Sequence, residues 1–176
     1  MESGFRLRPG QPRDAEALTA FAARSFEETF GPDNRPEDMA VHLASAYGVP
    51  QQAAELASND YRTILAETGS DLVGFVQVRR RRPPPCVVGG RPVELHRFYV
   101  DRSWHGRGMA QALMDAAHAA ARELGGLLLW LSVWERNPRA IAFYRKCGFG
   151  DVGSADFFVG PDRQTDRIMV APVRPD

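Results

Sequence analysis

The chain has 176 residues, with 22 Lys+Arg balanced by 22 Asp+Glu. That length suits one domain, residues 1–176, with a substantial core, and the charge balance argues against a nucleic-acid or anionic-membrane partner held by a global field. Two cysteines, Cys86 and Cys147, make no disulfide framework, the first residues lack an apolar leader core, and no apolar run approaches a membrane span, so a cytoplasmic, reduced domain is expected.

In chain order, residues 5–8 alternate and read as a short first strand. A helix opens near Pro12, with Asp14 and Glu16 close to its positive end, and Leu18, Phe21, Ala22, Ser25, Phe26 and Thr29 recur at helical spacing. Residues 36–57 read as two shorter helices broken around Gly48, Val49 and Pro50. Residues 61–67 and 72–80 form a strand pair joined by the turn 68–71. Residues 79–90, rich in Arg and Pro, form a loop with a stiff exposed end at Pro83, Pro84 and Pro85. A strand follows at 92–100, then a turn holding Gly106 and Gly108, then a helix from 106 to 124. Residues 127–133 are nearly all apolar, as in a strand covered on both faces. Strand, helix and buried strand make a βαβ unit with parallel strands. Asn137 caps a further helix with Pro138 at its first position and Gly148 beyond its end. Strands near 152–159 and 165–170 close the chain as a hairpin. The fold class is α/β, with a mixed sheet antiparallel at its start and end and parallel in its middle.

The glycine turn carries the chemistry. A strand leading through glycines into a helix aims free backbone N–H groups, and the positive end of a helix dipole, at one point where a phosphate binds well. The spacing is not that of a dinucleotide fingerprint, because the sixth position from Gly106 is Gln111, and no Gly-Lys-Ser/Thr of a P-loop occurs. On this turn alone, phosphate binding and a purely structural turn stand about level.

Val100 followed by His105-Gly106-Arg107-Gly108-Met109-Ala110 resembles the acetyl-CoA signature of the GCN5-related N-acetyltransferases (GNAT), Gln/Arg-x-x-Gly-x-Gly/Ala. Asn137, Ala140, Tyr144, Gly148 and Phe149 fill a pattern similar to that family's second motif. The C-terminal stretch 158–166 and the run 133–137 look more particularly like the PaiA-like polyamine acetyltransferase branch. The resemblance implies a single-domain GNAT-type sheet around a central βαβ unit, flanked by helices, with acetyl-CoA as cosubstrate. It implies that Phe98, Tyr99 and Val100 bind the acetyl and pantetheine part through backbone, with residues 106–110 on the pyrophosphate. His105 departs from the family's Gln or Arg, which affects a side-chain contact but not the backbone ones. Asn137 would hydrogen-bond the pantetheine arm, and Tyr144 would be the general acid at sulfur.

Acetyl transfer to an amine requires that the ammonium, with a pKa near 10, lose a proton; it also needs donors for the oxyanion and a proton for a thiolate near pKa 8.5. Glu94 is the favoured base, directly or through a water, with His96 its competitor two residues along the strand. Glu27, Glu28, Asp33, Glu37 and Asp38 would form an acidic lip for a cationic acceptor, against an ordinary solvated helix end. No His/Cys spacing points to a metal. The acceptor is read as a small-molecule amine, first among them a polyamine; protein N-termini or lysines are the close alternative. An acyl-CoA sensor is the non-enzymatic one, and the arginine run 79–82 the weak pointer to a nucleic-acid module. Self-association as a homodimer is left open.

Overall fold

The computed structural model describes residues 4–176. Its strands are β1 (Arg6–Pro9), β2 (Tyr61–Thr68), β3 (Asp71–Arg79), β4 (Pro92–Val100), β5 (Leu128–Trp134), β6 (Gly150–Val159) and β7 (Asp162–Pro172). They form one sheet in the order β1-β2-β3-β4-β5-β7-β6. The helices are α1 (Ala15–Phe30), α2 (Pro36–Ala46), α3 (Val49–Ala57), α4 (Met109–Glu123) and α5 (Pro138–Lys146). β4 and β5 run parallel, and the other neighbours are antiparallel. This is the mixed α/β sheet expected from the sequence. The helix after the glycine turn starts later than expected, at Met109. Gly106 and Gly108 hold φ of 75° and 82°, left-handed values that a right-handed helix cannot contain.

α4 covers one face of the sheet. Met109, Leu113, Met114, Ala117 and Ala121 pack with Val76, Val78, Val93, Leu95, Leu129 and Leu131, and α5 adds Tyr144 at the edge of this core. On the other face Leu18, Phe21 and Phe26 of α1 and Met39 of α2 pack with Leu65, Phe75 and Val159. Fully burying each such side chain contributes about 1.5–3 kcal/mol, so the two layers hold the central strands rigidly.

Two irregularities in β4 make the site. Gln77 pairs with Arg97 while Val78 pairs with Leu95, so His96 is an extra residue, a β-bulge. The bulge changes the alternation of faces. Val93 and Leu95 face the α4 core before it, and Phe98 and Val100 pack there after it, while Tyr99 joins the α1–α2 side. A buried network fixes this kink: Arg97 donates to Glu55 at 2.6 Å and to Gln77 at 2.7 Å, and Gln77 donates to Thr63 at 3.1 Å. Secondly, β4 and β5 pair only from Pro92 with Leu128 to Glu94 with Trp130. Beyond that point the parallel strands part, and the freed edge of β4 borders a cleft.

Candidate active site

The cleft is a cavity of about 970 Å³, within the range of small-ligand sites. At one end lies the glycine turn. Among the described residues, the N–H groups of Gly106, Gly108, Met109, Ala110 and Gln111 have no acceptor. A helix start leaves its first N–H groups unpaired, and the two left-handed glycines extend that row backward into the turn. A Cβ built on Gly106 or Gly108 would meet nothing within 4 Å, so the space above the row is open. The free donors of Gly106, Gly108, Ala110 and Gln111, none of them buried, fit the pyrophosphate of a nucleotide carrier.

Of the residues expected to bind that carrier, Phe98, Tyr99, Val100, His105, Gly106, Ala110, Asn137 and Tyr144 line the one cavity. Arg107, Gly108 and Met109, also expected there, are not among the residues that line it. Met109 is fully buried in the α4 core, backbone included. Arg107 stacks over Trp104 at 5.6 Å, and its N–H is spent on the Trp104 carbonyl. His105 is held at both ring nitrogens, Nε2 on the Val100 carbonyl at 3.0 Å and Nδ1 on Arg139 at 2.7 Å. A carbonyl only accepts and a guanidinium only donates, so both contacts are met by a neutral ring carrying its proton on Nε2. The sequence reading did not single out Arg139; its guanidinium supplies positive charge beside the turn where residue 105 itself lacks it.

Asn137 caps α5, its Oδ1 accepting from the Ala140 N–H at 3.2 Å, which leaves its amide N–H groups for the cavity. Tyr144 is buried among Phe98, Phe143 and Phe149. That burial pushes its hydroxyl well above the usual tyrosine range, so it stays protonated. Glu94 is buried as well. Burial alone would raise its pKa, but His96 and Arg79 outweigh it and hold the carboxyl at about 2. Arg79 donates to Glu94 Oε2, Arg81 stands 4.0 Å away, and His96 Nδ1 lies 3.8 Å from Oε1. Burial pushes His96 down to about 4. At neutral pH the pair is a carboxylate beside a neutral imidazole.

Two expectations are corrected. Of the five carboxylates foreseen as an acidic lip, only Glu28 lines the cavity. Asp38 is buried and paired with Arg35 at 2.9 Å, because α2 turns its second acidic residue inward against β6 and the following turn while Glu37 stays exposed. The loop between β3 and β4 is not a stiff end in solvent: Arg81, Arg82, Pro83 and Pro84 line the cavity, and Cys86 and Val87 pack on Trp130 and Ile168. The apolar run Cys86-Val87-Val88, set between Pro85 and Gly89, was the signal for this folding back. Ser132 on β5 and Asp166 on β7 also line the cavity and were not foreseen as site residues, although they fall in the apolar run 127–133 and the stretch 158–166.

A row of anion-binding N–H groups opens into a cleft between parted parallel strands that contains a buried, protonated tyrosine. Fold and site together define a group-transfer enzyme that takes its group from a phosphate-bearing carrier. The family model described as "Acetyltransferase (GNAT) family" matches residues 20–149, and the chain belongs to that family of acyltransferases. It is 35% identical over 162 residues to an uncharacterized N-acetyltransferase of Mycobacterium tuberculosis, covering 89% of this chain and 96% of the relative. It is 28% identical over 167 residues to another from Lactobacillus delbrueckii subsp. lactis, covering 95% and 96%. In fold it is similar to the PaiA N-acetyltransferase of Thermoplasma acidophilum, crystallized with coenzyme A, at a TM-score of 0.76 and 21% identity over 96% of this chain and 98% of that one. Among the described residues no helix is long and apolar enough to cross a membrane.

Proposed function

We propose that this chain acetylates the primary amine of a small molecule, with acetyl-CoA as donor, by direct attack in a ternary complex. The observation that carries the reading is the row of free N–H groups at the start of α4, of which Gly106 and Ala110 line the cavity that also holds Tyr144 and the unpaired edge of β4. When bound, acetyl-CoA supplies the thioester carbonyl and the thiolate leaving group. Residues 106–111 would hold its pyrophosphate, with Arg139 beside them. The backbone of Phe98, Tyr99 and Val100 would orient the acetyl group, one N–H facing the developing oxyanion.

Tyr144 would donate to the leaving sulfur. A hydroxyl with so high a pKa gives up a proton only if one replaces it, so its transfer is coupled to recovery of a proton from the attacking nitrogen. Glu94 would act on the acceptor as a fixed negative charge on the acetyl strand, directly or through a water. A pKa of about 2 makes it a poor place to leave a proton at neutral pH.

A bounded cavity walled by the β3–β4 loop supports a small acceptor over an extended peptide. Long polycations would meet Arg79, Arg81 and Arg82 in that wall, so polyamines enter as one class to be tested. The experiment is thiol release from acetyl-CoA across a panel of amines running from 2-aminoethanol and amino acids to spermidine. Release that depends on the amine supports the reading; thiol release with none of them overturns it.

A further inference from the structure

Asp166, on β7, is 5% exposed. Its Oδ2 accepts from the Ser132 hydroxyl at 2.6 Å, and its Oδ1 has no partner among the described residues. No Lys, Arg or His among those residues is ion-paired with it. A buried carboxylate with one hydrogen bond and an empty oxygen is costly to the fold, and such a group is expected where chemistry needs it. Its neighbours on the same face of β7, Ile168 and Val170, pack with Val87 and Trp130 as an apolar face would. Packing does not call for a carboxylate there.

The position of Ser132 shows what the pair could serve. Trp130 is the last residue of β5 paired to β4, opposite Glu94. Ser132 is two residues further, where the strands have parted. It is exposed to the cavity although it sits on a central strand. Continuing the register sets it across the cleft from His96, beside the bulge that presents the acetyl strand.

We propose that Ser132 and Asp166 accept the proton of the acceptor amine, Ser132 touching the nitrogen and Asp166 acting through it. The inference rests on the acetyltransferase reading above and names the proton acceptor within it. An N–H proton of the ammonium passes to Ser132 Oγ as the Ser132 hydroxyl proton passes to Asp166 Oδ2. The neutral amine then attacks the thioester carbonyl, the C–N bond forms and the C–S bond breaks. The sulfur leaves with the Tyr144 proton while the second nitrogen proton replaces it on Tyr144. Asp166 returns its proton to solvent, so one proton is released per turnover.

The electrostatics agree with this assignment. Burial raises Asp166, the Ser132 hydrogen bond opposes that, and the charge of Glu135 just past β5 adds to it; the net direction is up, opposite to Glu94. The other charged groups lining the cavity are Glu28 on α1, Asp156 on β6, Glu94 and Arg97 on β4 with Asp101 and Arg102 just after it, Arg139 on α5, and Arg79, Arg81 and Arg82 at the end of β3 and on the β3–β4 loop.

The test compares Asp166→Asn, Asp166→Glu and Ser132→Ala with wild type in the full chain, using 2-aminoethanol and spermidine as acceptors. Asp166→Asn and Ser132→Ala should each lower kcat/KM on the order of 10²-fold. Coenzyme A binding by calorimetry should stay within about twofold, as expected for groups that act on the amine alone. The acidic limb of the kcat/KM–pH profile should vanish in Asp166→Asn and return, displaced, in Asp166→Glu. Should Asp166→Asn fail to fold, Ser132→Ala decides, since it cuts the relay and leaves the carboxylate in place. Wild-type kcat/KM and pH profile in Ser132→Ala would overturn the inference alone. Absence of thiol release by wild type with both amines would overturn it together with the small-amine reading.

Discussion

Replacing Gly108 by Val separates the phosphate cradle from the rest of the fold. Gly108 holds φ of 82°, and a Cβ there would meet nothing within 4 Å. The protein's own cost is therefore backbone strain without a clash, about 1–2 kcal/mol for an L residue in the left-handed region. At about 2–4 °C per kcal/mol for a chain of this size, Tm should fall by roughly 2–8 °C. The cost to binding is larger, because the side chain projects into the open space above the free N–H row. Hydrogen bonds to charged groups contribute about 1.5–3 kcal/mol each, so shielding two donors removes about 3–6 kcal/mol, an affinity loss of roughly 100-fold or more. Gly125, just past the far end of α4, is the control: its φ is 77°, its Cβ position is equally open, and it lies at the opposite end of the helix from the free N–H row. Gly125→Val should lower Tm by a similar amount and leave coenzyme A affinity unchanged. Calorimetry and thermal denaturation on the two variants read both quantities. Wild-type affinity in Gly108→Val would refute the cradle; equal affinity losses in both variants would mean that strain, not access, controls binding.

Tyr144→Phe should lower kcat about 10²-fold with coenzyme A affinity little changed, read by single-turnover thiol release; an unaltered chemical step would remove Tyr144 from the proton path. Glu28→Gln should raise KM for spermidine modestly, about 1 kcal/mol or less for one exposed carboxylate. Glu27→Gln should leave KM unchanged because Glu27 is outside the cavity; equal responses from the two would restore a diffuse acidic attraction. In acid, the folded state binds fewer protons than the unfolded chain as His96 passes from 6.5 to about 4 and Glu94 from 4.5 to about 2. Stability should therefore decline as pH falls through those two windows in turn. In Glu94→Gln the lower window should disappear from denaturant midpoints measured against pH, and its persistence would place the low carboxyl pKa elsewhere.

The β4–α4–β5 unit was legible in the sequence because each part has a local cause. Glycines needing left-handed φ mark the turn, apolar residues at helical spacing mark α4, and the continuous apolar run marks a strand buried on both faces. Asn137 and Pro138 announced their helix start in the same local way. The bulge at His96 was not legible, because what holds it is Arg97 reaching Glu55 and Gln77, residues distant in the chain. The acidic lip failed for a related reason: proximity in sequence at two helix ends does not decide which carboxylates turn inward, and Asp38 does. Asp166 is one of 22 acidic residues, and although it ends the stretch 158–166, that stretch assigns it no chemistry; its character comes from strand pairing that buries one oxygen without a partner among the described residues. Glu94 was visible as a strand carboxylate, but its low pKa depends on Arg79 and His96 being folded against it.

The β3–β4 loop shares the cavity with β4 yet belongs to none of the elements that hold the glycine turn. It is held by the apolar contact of Cys86 and Val87 with Trp130 and Ile168, by Arg81 beside Glu94, and by Arg80 on Asp60 and the Leu124 carbonyl. Changes in length or charge at residues 82–85 can therefore alter what the wall admits while the free N–H groups at 106 and 108–111 and the edge of β4 stay in place. Donor binding and acceptor choice are thus mechanically separable in this chain. Acceptor range can drift by exchange of a surface segment, at little risk to the machinery that delivers the acyl group.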